Sequence, residues 1–168
     1  MNRETAHRYI VPALIITLII ALDIVTKHYV LLHFSRGERY DLFGGFVRIA
    51  LVYNEGGVFG ILQGYKNLFL VISIIVLMLM FAYYVMEKNK TPLFSLAMAL
   101  IMAGAVGNII DRLIPDRPGV VDFISVGVDG VYRWPSFNVA DSSIVVGAIA
   151  LVIVFFREEL KRKKNSES

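Results

Sequence analysis

The chain of 168 residues contains no cysteine. That absence excludes a disulfide framework, a thiol nucleophile, a Cys-ligated zinc or iron–sulfur site, and a lipid-bearing cysteine on the chain itself. Histidine is scarce: His7, His28 and His33 form no HExxH-type pair, so no metal site and no cofactor is expected. Charge is thin too, at 18% of residues, where soluble domains carry about 25%. In their place stand hydrophobic residues, 57% of the chain, with a mean hydropathy of +0.64. A chain this short has no interior large enough to hide so much apolar surface from water. These deficits exclude a soluble globular domain and a disordered one, and leave a single integral membrane domain over 1–168, mainly α. The pI near 9.2 does not signal nucleic acid, because the excess Lys and Arg lies at the chain ends, where a topology signal belongs.

Four apolar stretches, about 9–32, 68–86, 92–111 and 136–156, each approach the ~20 helical residues a bilayer core requires. The first follows Arg3 and Arg8 like a signal peptide, but no A-x-A site comes after it and three more spans do, so it is read as retained. Nine basic residues crowd three short segments: the N-terminal tail, the turn with Lys88 and Lys90, and the tail from Arg157 to Lys164. The positive-inside rule puts both termini in the cytoplasm. An outer β segment at about 36–66 and an outer loop at about 112–135 then face the other way. Phe46–Tyr53 is β-branched and aromatic between Gly44-Gly45 and Gly56-Gly57, and predicts one or two strands. Asp129-Gly130, between Ile124–Val128 and Val131–Trp134, predicts a two-residue hairpin. Tyr132 and Trp134 suit an interfacial aromatic belt.

Ionisable groups inside spans are costly, by ~2.5–3.5 kcal/mol or more each, and are therefore functional candidates. Asp23 lies about 20 Å into the first span at ~1.5 Å per residue, and Lys27 one turn further. Asn108, Asp111 and Arg112 close the third span, Asn138 and Asp141 open the fourth, and Asp122 lies in the outer loop between them. All converge on one depth, the outer boundary. The spacings Asp23/Lys27, Asn108/Arg112 and Asn138/Asp141 each put two groups on one helix face. Gly104, Gly107 and Gly147 let backbones approach and draw those faces together. Structural roles compete for the same residues: an ion pair for Asp23 and Lys27, an interfacial anchor for Asp111 and Arg112, a cap for Asn138, a turn for Gly56 and Gly57. Asp141 resists such a role, since no basic residue lies within one turn of it.

Two carboxylates sharing a site cannot both ionise easily, so one keeps a proton while the other acts as base. Asp122 and Asp141 suit that pair, one from a loop and one from a helix. The base activates a water for attack on a peptide carbonyl, and the acid polarises that carbonyl. A Ser–Lys membrane peptidase using Lys27 with Ser142 or Ser143 is the competing enzyme reading. A non-enzymatic transporter or scaffold is the competing non-enzyme, although its polar groups belong at the midplane.

The residues resemble the lipoprotein signal peptidase, or signal peptidase II, family. The resemblance rests on five ordered motifs: Asp23–Lys27, Asn54–Gly60, Gly107–Arg112, Val120–Ile124 and Phe137–Asp141. It implies an aspartyl endopeptidase of the bacterial cytoplasmic (inner) membrane with its active site at the outer face. Its fold would be four transmembrane helices with a small extracytoplasmic β-cradle and a hairpin-containing loop. Its substrates would be diacylglyceryl-modified prolipoproteins, cut just before the lipidated Cys; its other partners would be membrane lipids and globomycin-type inhibitors, with no nucleic acid. Asp122 and Asp141 match the catalytic dyad. Asn54, Gly56, Asn108, Arg112, Asn138 and Ala140 match positions lining or ordering the site, and Asp23 and Lys27 match the first-helix motif. The chain departs from the usual pattern in a Leu113–Val121 run longer by two, with two prolines, and in Gly57-Val58 where two alanines are usual. Phe46, Phe59, Phe123 and Trp134 are expected to offer an apolar platform to the substrate's lipid.

Overall fold

Four long helices carry the architecture: α1 (Val11–His33), α2 (Lys66–Met86), α3 (Pro92–Leu113) and α4 (Val139–Ser166). The computed structural model describes residues 9–57 and 62–166, so Arg3, His7, Arg8, Val58, Phe59 and Gly60 lie outside the described residues. All four helices are long and apolar enough to cross a membrane. Even the 21 residues of α2 reach about 30 Å at ~1.5 Å per residue. Thr91 starts α3 by accepting the Phe94 amide at 3.1 Å, with Pro92 in the first turn where its missing N–H costs nothing.

Helix α3 is the centre of the bundle and packs against each of the other three. Its Ala97, Met98, Ala99, Ala103, Gly104 and Gly107 are buried, whereas α2 buries only Tyr84. Leu14, Leu18, Val71, Leu79, Val146 and Val152 point outward from α1, α2 and α4, a surface that suits hydrocarbon and not water. Lipid tails are as apolar as the helices, so close backbone contact has to hold the bundle together. A Cβ at Gly104 would collide with the Ala140 carbonyl, and one at Gly147 would lie 2.8 Å from the Ala97 carbonyl oxygen. Helices α3 and α4 therefore touch backbone to backbone. Away from the sheet, Tyr84 stacks on Phe94 at 6.0 Å and joins Met98, Met102 and Val154 in an apolar cluster.

At the other end the two segments between helices form one antiparallel sheet, in the order β1 (Arg39–Leu42), β2 (Val47–Asn54), β3 (Val120–Val128), β4 (Tyr132–Arg133). The hairpin is thus part of the same sheet as the earlier strands. Asp122 lies on strand β3 rather than in a loop, because Val120–Val128 pairs along β2. Phe123 belongs to the buried cluster of Val30, Leu51 and Val121, which removes it from any exposed platform; Phe46 and Trp134 remain exposed. Arg48 binds Asp41 and Asp129, each at 2.7 Å, and Arg133 binds Asp129 at 2.9 Å, which clasps both hairpins together. The Arg48 and Arg133 hydrogen bonds pull the Asp129 carboxyl down to about 2.

One irregularity in the sheet bears on the site. Ile49 pairs with Ile124, but Val52 pairs with Asp122, so Ala50 and Leu51 together stand opposite Phe123. Such a bulge shifts the register by one and exchanges the two faces of the strand beyond it. Directly opposed residues share a face. Past the bulge Val52 and Asn54 therefore share the face of Asp122, while Tyr53 faces the apolar cluster with Val121. In a register continued from Ile49 and Ile124 without the bulge, Leu51 would stand opposite Asp122 and Asn54 would turn to the other face.

Candidate active site

Asn138 precedes the first residue of α4 and caps it. Its Oδ1 accepts the Asp141 amide at 2.8 Å, and the Asp141 carboxylate accepts the Asn138 amide at 3.2 Å. The two groups satisfy each other in a reciprocal capping box. The same Asn138 side chain turns its Nδ2 to Asp122 Oδ1 at 2.8 Å, and also approaches Asn108 Oδ1 at 3.1 Å and the Val121 carbonyl at 3.3 Å. One carboxamide thus joins the helix aspartate to the strand aspartate. Asn108, one level below on α3, donates its Nδ2 to Asp141 Oδ1 at 2.7 Å.

Beneath this pair runs a line of buried charge. Lys27 Nζ lies 2.7 Å from Asp23 Oδ2, 2.8 Å from Asp111 Oδ2 and 3.3 Å from Asn108 Oδ1. The ammonium sits among three oxygens at once. Asp111 also binds Arg117 through Oδ1, so two acids and two bases alternate and neutralise one another. A charge this deep is tolerated only when paired. The two acids do further work. Asp23 Oδ1 accepts the Ala140 amide at 2.9 Å, and Asp111 Oδ2 accepts the Val121 amide at 3.1 Å. Each buried carboxylate therefore holds the peptide immediately before one aspartate of the upper pair, and Lys27 bridges the two holders. Gly107 makes room for this: a Cβ there would lie 2.6 Å from Asp23 Oδ2.

The turn after β2 closes the site from the side. Asn54 Oδ1 accepts the Gly56 amide at 3.1 Å and its Nδ2 donates to the Gly57 carbonyl at 3.2 Å. Asn54 stands on the Asp122 face of the sheet. Arg112 donates to the Gly56 carbonyl at 3.0 Å and to the Asn108 carbonyl at 3.3 Å, while its buried Nε has no hydrogen-bond partner among the described residues. Burial and the nearby Asp141 charge push the Asp122 carboxyl up to about 8, against the smaller opposing effects of Asn54, Lys27 and Asn138.

All ten residues singled out in the sequence meet here. Asp23, Lys27, Asn108, Asn138, Ala140, Asp141, Asp122, Asn54, Gly56 and Arg112 form one connected set of hydrogen bonds and ion pairs at the sheet end of the bundle. Two further residues join the set, one named among the polar groups at this depth and one given no role. Asp111 reads as an interfacial anchor at a helix end, yet it is 2% exposed and holds Val121. Arg117 reads as a loop charge. Only the Asp111–Arg112 dipeptide at the end of an uncharged run hinted at the first, and nothing local hinted at the second. Ser142 and Ser143 spend their hydroxyls on the Asn138 and Leu100 carbonyls, at 2.9 and 2.7 Å, and neither hydrogen-bonds Lys27. Among the described residues no cluster of His, Asp or Glu could hold a metal ion.

This geometry has relatives. A family model described as signal peptidase (SPase) II matches residues 15–157. A lipoprotein signal peptidase of Borrelia hermsii (strain HS1 / DAH) is 42% identical over 159 residues, covering 89% of this chain and 91% of the relative. One of Staphylococcus haemolyticus (strain JCSC1435) is 34% identical over 151 residues, covering 89% and 94%. Two solved structures described as bacterial membrane enzymes, determined by the in meso method, superpose with TM-scores of 0.81 and 0.76 at 30% and 31% identity. They cover 90% and 88% of this chain, and 90% and 93% of their own chains. A match spanning the helices and the sheet, at these identities, leaves one assignment: the chain is a multi-pass membrane peptidase of the signal peptidase II family, whose members remove signal peptides from prolipoproteins.

Proposed function

We propose that the reaction is aspartyl proteolysis by Asp122 and Asp141, and that the bond cut lies just before a diacylglyceryl-modified Cys of a prolipoprotein. The observation that carries this reading is the single Asn138 carboxamide joined to both aspartates at 2.8 Å. Asp141 sits in the first turn of α4, where the helix N-terminus favours an anion, and it receives the Asn108 and Asn138 donors. Asp122 is 2% exposed and keeps its proton near neutral pH. In this reading Asp141 takes a proton from water as the oxygen attacks the scissile carbonyl, and Asp122 gives its proton to the carbonyl oxygen. When the tetrahedral intermediate collapses, Asp141 passes its proton to the leaving amine and Asp122 recovers one from the gem-diol. Asp23, Lys27, Asn54, Gly56, Asn108, Arg112, Asn138 and Ala140 hold this pair in place.

The setting we propose is the bacterial inner membrane, with both termini cytoplasmic and the sheet on the outer face, resting on membrane lipid. A signal helix then crosses beside the bundle and presents its lipidated end at the depth of the aspartates. Buried acyl methylenes, at ~0.8 kcal/mol each, supply much of the binding energy. A site of this kind is also where a globomycin-type cyclic peptide would bind. The test is cleavage of one precursor, with and without its diacylglyceryl group, by the purified protein and its Asp122→Asn and Asp141→Asn forms. Expected are loss of turnover by about 10²-fold or more in either variant and a large fall in kcat/KM without the lipid. Near-normal turnover in either variant would sink the dyad, and equal kcat/KM for the two precursors would sink the lipid requirement.

A further inference from the structure

The connection between α3 and β3 carries a charge that the reaction scheme leaves unassigned. Arg117 is held at both ends. Its guanidinium pairs with Asp111 Oδ1, and its carbonyl accepts Lys66 Nζ at 2.5 Å, the same ammonium that binds the Ile114 carbonyl at 2.9 Å. Lys66 begins α2, so the connection is fastened to a helix that packs chiefly on α3. Two residues further on, Gly119 lies so close to the Asn54 carbonyl that a Cβ there would overlap it. The loop is therefore fitted between α2 and the end of β2, and it points one cation inward.

What that cation does follows from Asp111. Asp111 Oδ2 has two partners, Lys27 Nζ at 2.8 Å and the Val121 amide at 3.1 Å. Asp111 Oδ1 has one among the described residues, Arg117. Without Arg117 that oxygen loses this partner, which is costly for a buried carboxylate, and turning toward Lys27, the cation 2.8 Å from the other oxygen, offsets part of the cost. That rotation draws Oδ2 off the Val121 amide, and Asp122 is the next residue along β3. We infer that Arg117 is a positioning residue for peptide-bond hydrolysis, acting on Asp122 through Asp111 and the Val121 amide. This rests on the reading of Asp122 and Asp141 as the reacting pair. Arg117 touches no reacting atom; it governs the orientation of the acid and not the binding of substrate.

The experiment is steady-state cleavage of a diacylglyceryl precursor by full-length Arg117→Ala, Arg117→Gln and Arg117→Lys proteins, each checked for folded fraction by thermal unfolding in detergent. The expected result is a kcat lower by about tenfold in Arg117→Ala, since small misplacements of a reacting group cost rate and not affinity. KM stays within about twofold, and Arg117→Lys recovers most of the lost kcat. Should Arg117→Ala fail to accumulate folded, Arg117→Gln keeps length without charge and is expected to lose kcat in the same way. A folded Ala or Gln variant with unchanged kcat, a KM rise in place of a kcat fall, or a Lys variant as slow as Ala would overturn the inference. Asp122→Asn runs beside them: if it retains turnover, the dyad reading itself has failed, whereas a dead Asp122→Asn with a fully active Arg117→Ala removes Arg117 alone.

Discussion

Asn138 Nδ2 stands 2.8 Å from Asp122 Oδ1. A helix cap that also grips a strand aspartate ties the start of α4 to the middle of β3, and two variants separate these tasks. Asn138→Ala removes both, with a stability cost of about 1 kcal/mol for the cap and about 1–3 kcal/mol for the buried groups left unpaired. Asn138→Ser restores a cap through its hydroxyl but is too short to reach Asp122. Its Tm is expected to exceed that of Asn138→Ala, while turnover stays as low. Recovery of turnover with Ser would mean that the cap alone matters.

The raised Asp122 carboxyl makes a pH prediction with a definite sign. Burial, and then the Asp141 charge, lift it from 3.8 to about 8. Between those values the folded protein holds a proton that the unfolded chain has released, so this group's contribution to stability falls as pH rises through that window and is flat above it. At ~1.4 kcal/mol per unit over that window the loss is at most about 6 kcal/mol. Asp122→Asn escapes it. The variant's Tm advantage should be largest above about pH 8 and shrink toward pH 4, while turnover of the parent protein declines above about pH 8 as the acid is lost. A Tm advantage independent of pH would contradict this account.

Lys27 and the serines distinguish the two peptidase mechanisms. Held between the Asp23 and Asp111 carboxylates and hydrogen-bonded to Asn108, Lys27 is a clamp rather than a base. Lys27→Met leaves Asp23 without a cation and Asp111 with Arg117 alone, and is expected to cost about 3–5 kcal/mol, with turnover lost alongside folding. Ser142→Ala and Ser143→Ala should keep most activity, because each hydroxyl is bonded to a backbone carbonyl. A serine variant that folds normally and has no turnover would reinstate the Ser–Lys scheme.

Topology is checked with fusions. A reporter active only outside the cytoplasm should be silent after Ser168 and active within the Arg36–Arg39 turn, given the basic residues of the tail. A bright signal at the C-terminus would place the aspartates on the cytoplasmic side.

Sequence and tertiary structure divided the information unevenly. Apolar runs long enough to cross a bilayer are a local property, so the four helices were legible from composition and length alone. Strand character in Phe46–Tyr53 and the turn at Asp129-Gly130 were legible too, because β-branched residues and an Asp-Gly pair act over a few positions. The aspartates announced themselves through cost: a carboxylate such as Asp141 inside an apolar span, with no base within a turn, has to be there for a reason.

What the chain order hides is everything that depends on contact between distant segments. The merging of both outer segments into one sheet requires β2 to pair with β3 across the two helices between them. The bulge at Ala50 and Leu51 decides that Asn54, and not Tyr53, faces Asp122, and a one-residue change of register leaves no mark on local propensity. Asp111 and Arg117, a plain helix end and a plain loop in sequence, become neighbours because the loop folds back over α3. By itself the sequence determined the membrane class, the helices and the candidate groups, since hydrophobicity and desolvation cost act residue by residue. Tertiary structure decided which carboxylate holds which backbone amide, since a hydrogen bond exists only when two segments far apart in the chain arrive within about 3 Å of each other.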